Sequence, residues 1–287
     1  METMIFDQKV AIVTGAGGGL GRCHALELAR RGAHVVVNDV GSSVDGTGGS
    51  TSAASAVVDE ITAAGGSAVA NSDSVATPEG GQAIVKTAMD NFGRVDILVN
   101  NAGILRDAAF KNMTADQFDA VVEVHLKGSF NLTSAVWPIM REQNYGRIIQ
   151  TSSGSGLFGN FGQVNYGAAK MGLIGMMNVL AIEGARNGIA INAIAPIART
   201  RMTEAIMGEA AAKLDPELVT PVVIYLAHES CDRTAHIYSV GGGMVKRVFI
   251  GVTAGVEDVG LTPESVAASI ATIDDSGRFT IRGGLAG

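Results

Sequence analysis

The chain has little to cross-link, little to stack and little positive charge. Its 287 residues include two cysteines, Cys23 and Cys231, far apart and outside any metal-spacing motif. That excludes a disulfide framework and a cysteine-built metal site, and it fits a reducing compartment. Aromatic residues make up 5%, and 21 Lys and Arg face 28 Asp and Glu for a net charge of −7. With no basic stripe interleaved with aromatics, nucleic acid is excluded as a partner. No apolar run approaches the length of a membrane span. The opening METMIFDQKV runs into the first strand without room for a leader, and the closing LAG is not a peroxisomal address. The expectation is a soluble, cytoplasmic protein without metal or membrane.

What is abundant is Gly, with 38 residues, within a composition that is 47% apolar. Both suit short, tightly connected βα units. Lys9–Thr14, His34–Asp39, Ser67–Asn71, Val95–Asn100, Arg147–Ser152, Ile189–Ala195 and His236–Val240 read as strands. Helices are expected over Cys23–Arg30, Thr51–Ala64, Pro78–Phe92, Thr114–Gln143, Tyr166–Arg186 and Pro216–His228, with a capping pattern at Thr114–Gln117. Gly41–Ser50 reads as a loop. Such alternation predicts an α/β fold: one Rossmann-type, doubly wound parallel sheet of about seven strands, helices on both faces. No linker divides it, so 1–287 is one domain. A helix over Thr262–Ala271 and a strand over Arg278–Arg282 have no evident place in the sheet.

The turn after the first strand, Thr14-Gly15-Ala16-Gly17-Gly18-Gly19-Leu20-Gly21, opens a helix. Glycines there let backbone approach a pyrophosphate held at the helix N-terminus. The second strand ends in Asp39, about twenty residues on, where a carboxylate bonds ribose hydroxyls and repels a 2′-phosphate. The expected cofactor is NAD.

Between Thr151 and Lys170 lies TSSGSGLFGNFGQVNYGAAK. Tyr166 and Lys170, four residues apart, share a helix face. A free phenol ionises near pH 10, and bringing it to neutrality takes about 4 kcal/mol of differential interaction, which a nearby ammonium could supply. Ser153, thirteen residues before the tyrosine, could hold a substrate oxygen beside the phenol.

TGAGGGLG, NNAG at Asn100–Gly103, Ser153 and Y-x-x-x-K together resemble the short-chain dehydrogenase/reductase family, over about residues 5–245. Within it, VVVNDVG, NNAGILRD, VHLKGSF, YGRII, GNFGQVNY, RMT and HESC resemble the branch of (3R)-hydroxyacyl-CoA dehydrogenase domains found in multifunctional enzymes of type 2, also called 17β-hydroxysteroid dehydrogenase type 4. In that branch a tail such as 246–287 belongs to the same domain. The resemblance implies Tyr166 as acid/base, Lys170 as its modulator and a ligand of the nicotinamide ribose, and Ser153 as the group orienting substrate oxygen. It further assigns Gly15, Gly19, Leu20 and Gly21 to the pyrophosphate and adjoining ribose and Asp39 to the adenine ribose. Asp73, Ser74 and Val75 fall to the adenine edge, Asn101 to the cofactor groove, and Ala198, Arg199, Thr200 and Arg201 to the carboxamide.

Many family members have asparagine where this sequence has His125; the branch has histidine there too. The imidazole could continue a proton path or be a satisfied core group. An acyl-CoA substrate implies a cationic rim, with Arg106, Lys111, Arg199, Arg201, Lys246 and Arg247 as candidates where solvated surface charges are the alternative, and Ala205–Ala212 with Met202 and Met207 reads as a lid over an acyl chain or steroid or as a plain helix face. The expected reaction is NAD-dependent oxidation of (3R)-3-hydroxyacyl-CoA, with a steroid alcohol as the alternative substrate. A catalytically silent NAD-binding module is disfavoured by the intact Ser153, Tyr166 and Lys170. Apolar breadth on the 114–143 and 166–186 helices implies a homodimer or homotetramer.

Overall fold

The computed structural model describes residues 3–198 and 214–282. Seven strands, β1 (Val10–Thr14), β2 (His34–Asn38), β3 (Ser67–Asn71), β4 (Ile97–Asn100), β5 (Gly146–Thr151), β6 (Ile189–Pro196) and β7 (Ile237–Gly241), pair in parallel. Their order is β3-β2-β1-β4-β5-β6-β7. An eighth strand, β8 (Met244–Val248), runs antiparallel to β7 at the edge. Gly241 pairs with Met244 there, leaving Gly242 and Gly243 as the two turn residues, at φ +56° and +79°. Both central residues are thus left-handed, a conformation of two-residue hairpin turns that glycine adopts without strain.

The helices, in chain order, are α1 (Gly19–Arg30), α2 (Ser52–Ala63), α3 (Pro78–Phe92), α4 (Ala115–Val122), α5 (Gly128–Gln143), α6 (Gly154–Phe158), α7 (Val164–Gly184), α8 (Thr220–Ala227) and α9 (Pro263–Ile273). Strand alternation sorts the apolar residues into two cores. Ala11, Val13, Val35, Val37, Ile97 and Val99 face α1, α2 and α8. Val10, Ile12, Val36, Leu98, Ile148 and Ile191 face α3, α5 and α7. Fully buried side chains such as Leu132 and Met140 on α5 each contribute about 1.5–3 kcal/mol of hydrophobic stabilisation.

The strand β8 was not expected, and three further features depart from the sequence reading. The 114–143 helix is interrupted by a π turn at Glu123–Lys127. The five-residue α6 falls where no helix was predicted. The segment 164–187, with mean hydropathy 1.2, is long and apolar enough to span a membrane by length and composition. In the fold its Ile174 and Met177 pack against Ile148 and Ile191 of the sheet. The tail beyond β8 forms an antiparallel pair, β9 (Ile250–Thr253) with β10 (Phe279–Arg282), separate from the main sheet. It also contains α9, whose Thr262 and Ser265 form a capping box.

Candidate active site

β1, β4, β5 and β6 end together, and the chain reverses its winding direction between β1 and β4, where an open sheet of this kind holds its ligand. Gly15 has φ +63°, and a Cβ there would stand 2.8 Å from Ala102 Cα, so the turn lies against the loop after β4 only as glycine. A Cβ at Gly21 would collide with the Gly15 carbonyl. α1 begins with neither a capping side chain nor an acid in its first turn. Gly18, Gly19 and Leu20 line a cavity of about 650 Å³, so the helix's free N–H groups open onto it.

Asp39 lines the same cavity. Its Oδ2 accepts from Gly17 N at 2.8 Å and its Oδ1 from Gly41 N at 2.7 Å, leaving lone pairs on both oxygens for a further donor. Ser74, Val75, Asn101 and Ala198 are also lining residues. Asn101 is chiefly a tie, because its Nδ2 donates to the Thr14 and Gly15 carbonyls at 2.9 and 3.2 Å. Two assigned residues stand back from the cavity. Gly21 packs beneath the turn, and the Asp73 carboxylate accepts from Asn71 Nδ2 at 2.8 Å. Arg199, Thr200, Arg201, Met202 and Met207 lie outside the described residues.

Ser153, Tyr166 and Lys170 come together on this cavity. Ser153 caps α6, its Oγ accepting from Ser155 N at 3.2 Å. Tyr166 stands on the first turn of α7, fixed through Asn165. The Asn165 side chain accepts from Tyr166 N at 2.8 Å and donates to the carbonyls of Arg106 and Gln117. Lys170 is buried, its Nζ donating to the Thr151 carbonyl at 2.5 Å and lying 5.4 Å from the centre of the Tyr166 ring.

Burial dominates the electrostatics of the pair. Burial, with the Asp107 carboxylate adding to it, holds the Tyr166 phenol above its ordinary pKa, and the hydrogen bond with Ser153 only partly offsets this. Lys170 is itself brought down to about 7 by burial. Burial thus acts on both members of the pair, disfavouring the phenolate of Tyr166 and the ammonium of Lys170.

His125 sits in the π turn, buried, with its ring edge-on to Tyr166 at 5.1 Å. Its Nε2 lies 3.0 Å from Ile104 N and 2.8 Å from Ile104 O. One tautomer accepts from the amide and the other donates to the carbonyl. Burial first, then the Lys170 charge, push its pKa well below the usual imidazole range.

Other lining residues escaped the sequence reading. Ser42, Ser43, Val44 and Gly46 belong to the Gly41–Ser50 loop. That loop is pinned across the cavity by Leu105 N to Val44 O and Arg106 Nε to Asp45 O, both 2.9 Å. Asn160 and Gln163 form a chain: Asn160 Nδ2 donates to Gln163 Oε1 at 3.0 Å, and Gln163 Nε2 to Asp107 Oδ2 at 2.6 Å. Gln163, one turn before Tyr166, carried the signal for this in its spacing. Of the expected cationic rim, Arg106 lines the cavity, whereas Lys111 does not and Lys246 and Arg247 lie on β8.

A doubly wound sheet with a glycine turn, an acid at the end of the second strand and a tyrosine–lysine pair defines a dinucleotide-binding oxidoreductase. The chain belongs to the short chain dehydrogenase family, whose model matches residues 9–210. It is therefore an oxidoreductase of secondary alcohols that uses a nicotinamide cofactor.

It is 53% identical over 270 residues to peroxisomal multifunctional enzyme A of Dictyostelium discoideum, covering 94% of this chain and 60% of that protein. It is also 53% identical over 277 residues to a short-chain type dehydrogenase/reductase of Mycobacterium tuberculosis, covering 96% and 97%. Hydroxyacyl-CoA dehydrogenase ChsB1 of M. tuberculosis is 42% identical over 238 residues, covering 76% and 72%. Full-length peroxisomal multifunctional enzyme type 2 of Drosophila melanogaster superposes with a TM-score of 0.83 at 42% identity, covering 98% of this chain and 48% of that one. The chain thus spans 26% to 60% of the length of the multifunctional proteins it matches.

Proposed function

We propose that the protein oxidises (3R)-3-hydroxyacyl-CoA to 3-oxoacyl-CoA with NAD, in fatty-acid or sterol side-chain breakdown. The observation that carries the catalytic part is the convergence of Ser153, Tyr166 and Lys170 on the cavity that also holds the glycine turn and Asp39. The substrate class is supported by the named hydroxyacyl-CoA dehydrogenase among its relatives and by likeness to the multifunctional enzymes. The choice of NAD over NADP is supported by Asp39, whose charge a 2′-phosphate would meet directly.

The residues fit the cofactor, since the turn that would cradle its pyrophosphate has no room for a Cβ at Gly15. The first turn of α1 would hold the pyrophosphate, Asp39 the adenine ribose, and Lys170 the nicotinamide ribose. Once bound, the nicotinamide supplies the hydride acceptor and, in its oxidised form, a positive charge. That charge would favour the phenolate of Tyr166; Ser153 Oγ holds the substrate oxygen, and Tyr166 Oη, as the phenolate, takes its proton. His125, kept neutral by burial, steadies the Ile104 backbone and the Tyr166 ring.

Assembly into a homo-oligomer is supported by Phe118, Phe130, Met171, Val179 and Ile182, apolar side chains exposed on α4, α5 and α7. A cytoplasmic location fits the two free thiols. A substrate panel tests the reading: turnover of 3-hydroxyacyl-CoA with NAD supports it, and turnover of 17β-estradiol with inert thioesters would replace it with the steroid alternative.

A further inference from the structure

The chain that leaves β2 does not turn straight into α2. Residues 41–50 run out over the cavity and are tied to the segment beyond β4, where Leu105 N donates to Val44 O and Arg106 Nε to Asp45 O, both at 2.9 Å. In the sheet, β2 and β4 flank β1. The bridge therefore spans two strand spacings, about 10 Å, and crosses the end of β1, where the glycine turn opens α1. Ser42, Val44 and Gly46 on one side and Leu105 and Arg106 on the other line the same cavity as that turn.

The feet of this loop meet, Ser50 N donating to Val40 O at 2.9 Å, which makes it an Ω-loop. Its tip is held together by its own bonds. Ser43 N donates to Thr47 O at 2.9 Å, Gly46 N to Ser43 O at 3.0 Å, and Asp45 Oδ1 accepts from Thr47 N and Oγ1 at 3.0 and 2.7 Å. Between feet and tip stand Gly41 at φ +68° and Gly48 at φ +72°. What fastens the tip at its far end is slight: the two bonds to 105–106, and Gly46 lying against the buried Ile104 side chain. A self-bonded tip on glycine hinges, held by so few contacts, is built to swing as one piece.

We propose that residues 41–50 form a strap over the bound dinucleotide, with Arg106 as its latch, so that cofactor entry and exit wait on its opening. A dinucleotide reaching from Asp39 to Lys170 by way of the first turn of α1 passes beneath the crossing. Each of its ends carries a bulky ring system, so sideways release through an open strap is an easier route than threading. Arg106 acts on the cofactor through the strap and is a positioning residue. The proposal rests on nicotinamide dinucleotide binding and not on the identity of the alcohol.

The test follows the fluorescence of NADH, or of NADPH if only that one binds, in stopped flow. Association and release are read separately in the unaltered chain, in Arg106→Ala and in Gly46→Cys/Ile104→Cys. A Cβ at Gly46 would stand 3.7 Å from Ile104 Cβ, within the span of a disulfide, so oxidation locks the strap and reduction frees it. The reduced form of the same variant controls for the strain of a side chain at Gly46, whose φ is +85°. Arg106→Ala is expected to speed association and release together, each by about fivefold, the scale of one lost hydrogen bond, with Kd within about twofold. Locking is expected to slow both by about tenfold or more, and reduction to restore them.

Equal rates in the oxidised and reduced forms, with the disulfide confirmed by loss of thiols, would overturn the proposal. So would an Arg106→Ala variant with faster release but unchanged association, the mark of a plain contact with the cofactor, or one with neither rate changed. If the unaltered chain binds neither NADH nor NADPH, the cofactor reading itself falls and takes the strap with it. That outcome is distinct from tight binding whose rates ignore the lock.

Discussion

Lys170 Nζ lies 5.4 Å from the centre of the Tyr166 ring and gives its hydrogen bond to the Thr151 carbonyl. The lysine is thus placed by the backbone of β5, buried beneath the phenol, in a setting that disfavours its own charge. Its pKa falls from 10.5 to about 7 on burial. Between those values the unfolded chain holds a proton that the folded chain has released, so stability rises with pH across that window. At neutral pH the buried group costs about 4 kcal/mol relative to an unshifted lysine. Lys170→Met is therefore expected to lose turnover by about a hundredfold or more while melting at or above the temperature of the unaltered cofactor-free protein. A clear drop in melting temperature would show that the lysine is a net structural support.

His24 on α1 gives a stability prediction unrelated to catalysis. It is wholly buried, its Nδ1 2.9 Å from Thr220 Oγ1, and desolvation lowers its pKa from 6.5 to about 3. The folded group stays neutral while the unfolded one gains a proton below pH 6.5, so its contribution is full above that pH and lost as pH falls toward 3. By pH 4.5 the loss amounts to about 3 kcal/mol. Urea midpoints at pH 7 and 4.5 should converge in His24→Asn, which keeps an amide where Nδ1 stood. An unchanged pH dependence would move the acid sensitivity elsewhere, with His125 the next candidate.

For His125 the expected role is positioning. His125→Ala should lower kcat by about tenfold, because the Ile104 backbone loses its partner and Tyr166 its edge contact. The pH–rate profile should keep its shape, since a ring held neutral does not titrate in the working range. A shifted profile would instead place the imidazole in a proton path.

Asp39 should govern cofactor choice. Asp39→Ala is expected to reduce kcat/KM for NAD by about tenfold or more, through loss of a charged hydrogen bond to ribose. The same change should raise kcat/KM for NADP, by removing a carboxylate from the place of the 2′-phosphate. Equal losses for both cofactors would mean that the carboxylate serves only to hold Gly17 and Gly41.

The parts of this fold that depend on local pattern were legible in the sequence. Short apolar runs alternating with helical stretches marked the seven parallel strands, and Gly15, Asp39, Ser153, Tyr166 and Lys170 could be placed because each sits at a strand end or on the first turns of a helix. The rest depended on contacts between distant segments. β8 is exposed along most of its length, so no buried face marks it. The π turn inserts an extra residue into the ladder, which single-residue propensities do not register. Asn101 was assigned to the groove, but its bonds to Thr14 and Gly15 required the pairing of β1 with β4. The bridge from Val44 and Asp45 to Leu105 and Arg106 joins a flexible-looking loop to a segment some sixty residues on. The phenol's raised pKa followed from burial, which no motif displays.

The most direct test of the account is the rate of NADH formation from separate (3R)- and (3S)-3-hydroxyacyl-CoA, measured for the unaltered protein and for Tyr166→Phe. The account predicts turnover of the 3R thioester alone, falling by about a thousandfold or more in the variant, the scale of a lost acid–base group. Turnover of the 3S thioester, or a rate that survives removal of the phenol, would contradict it.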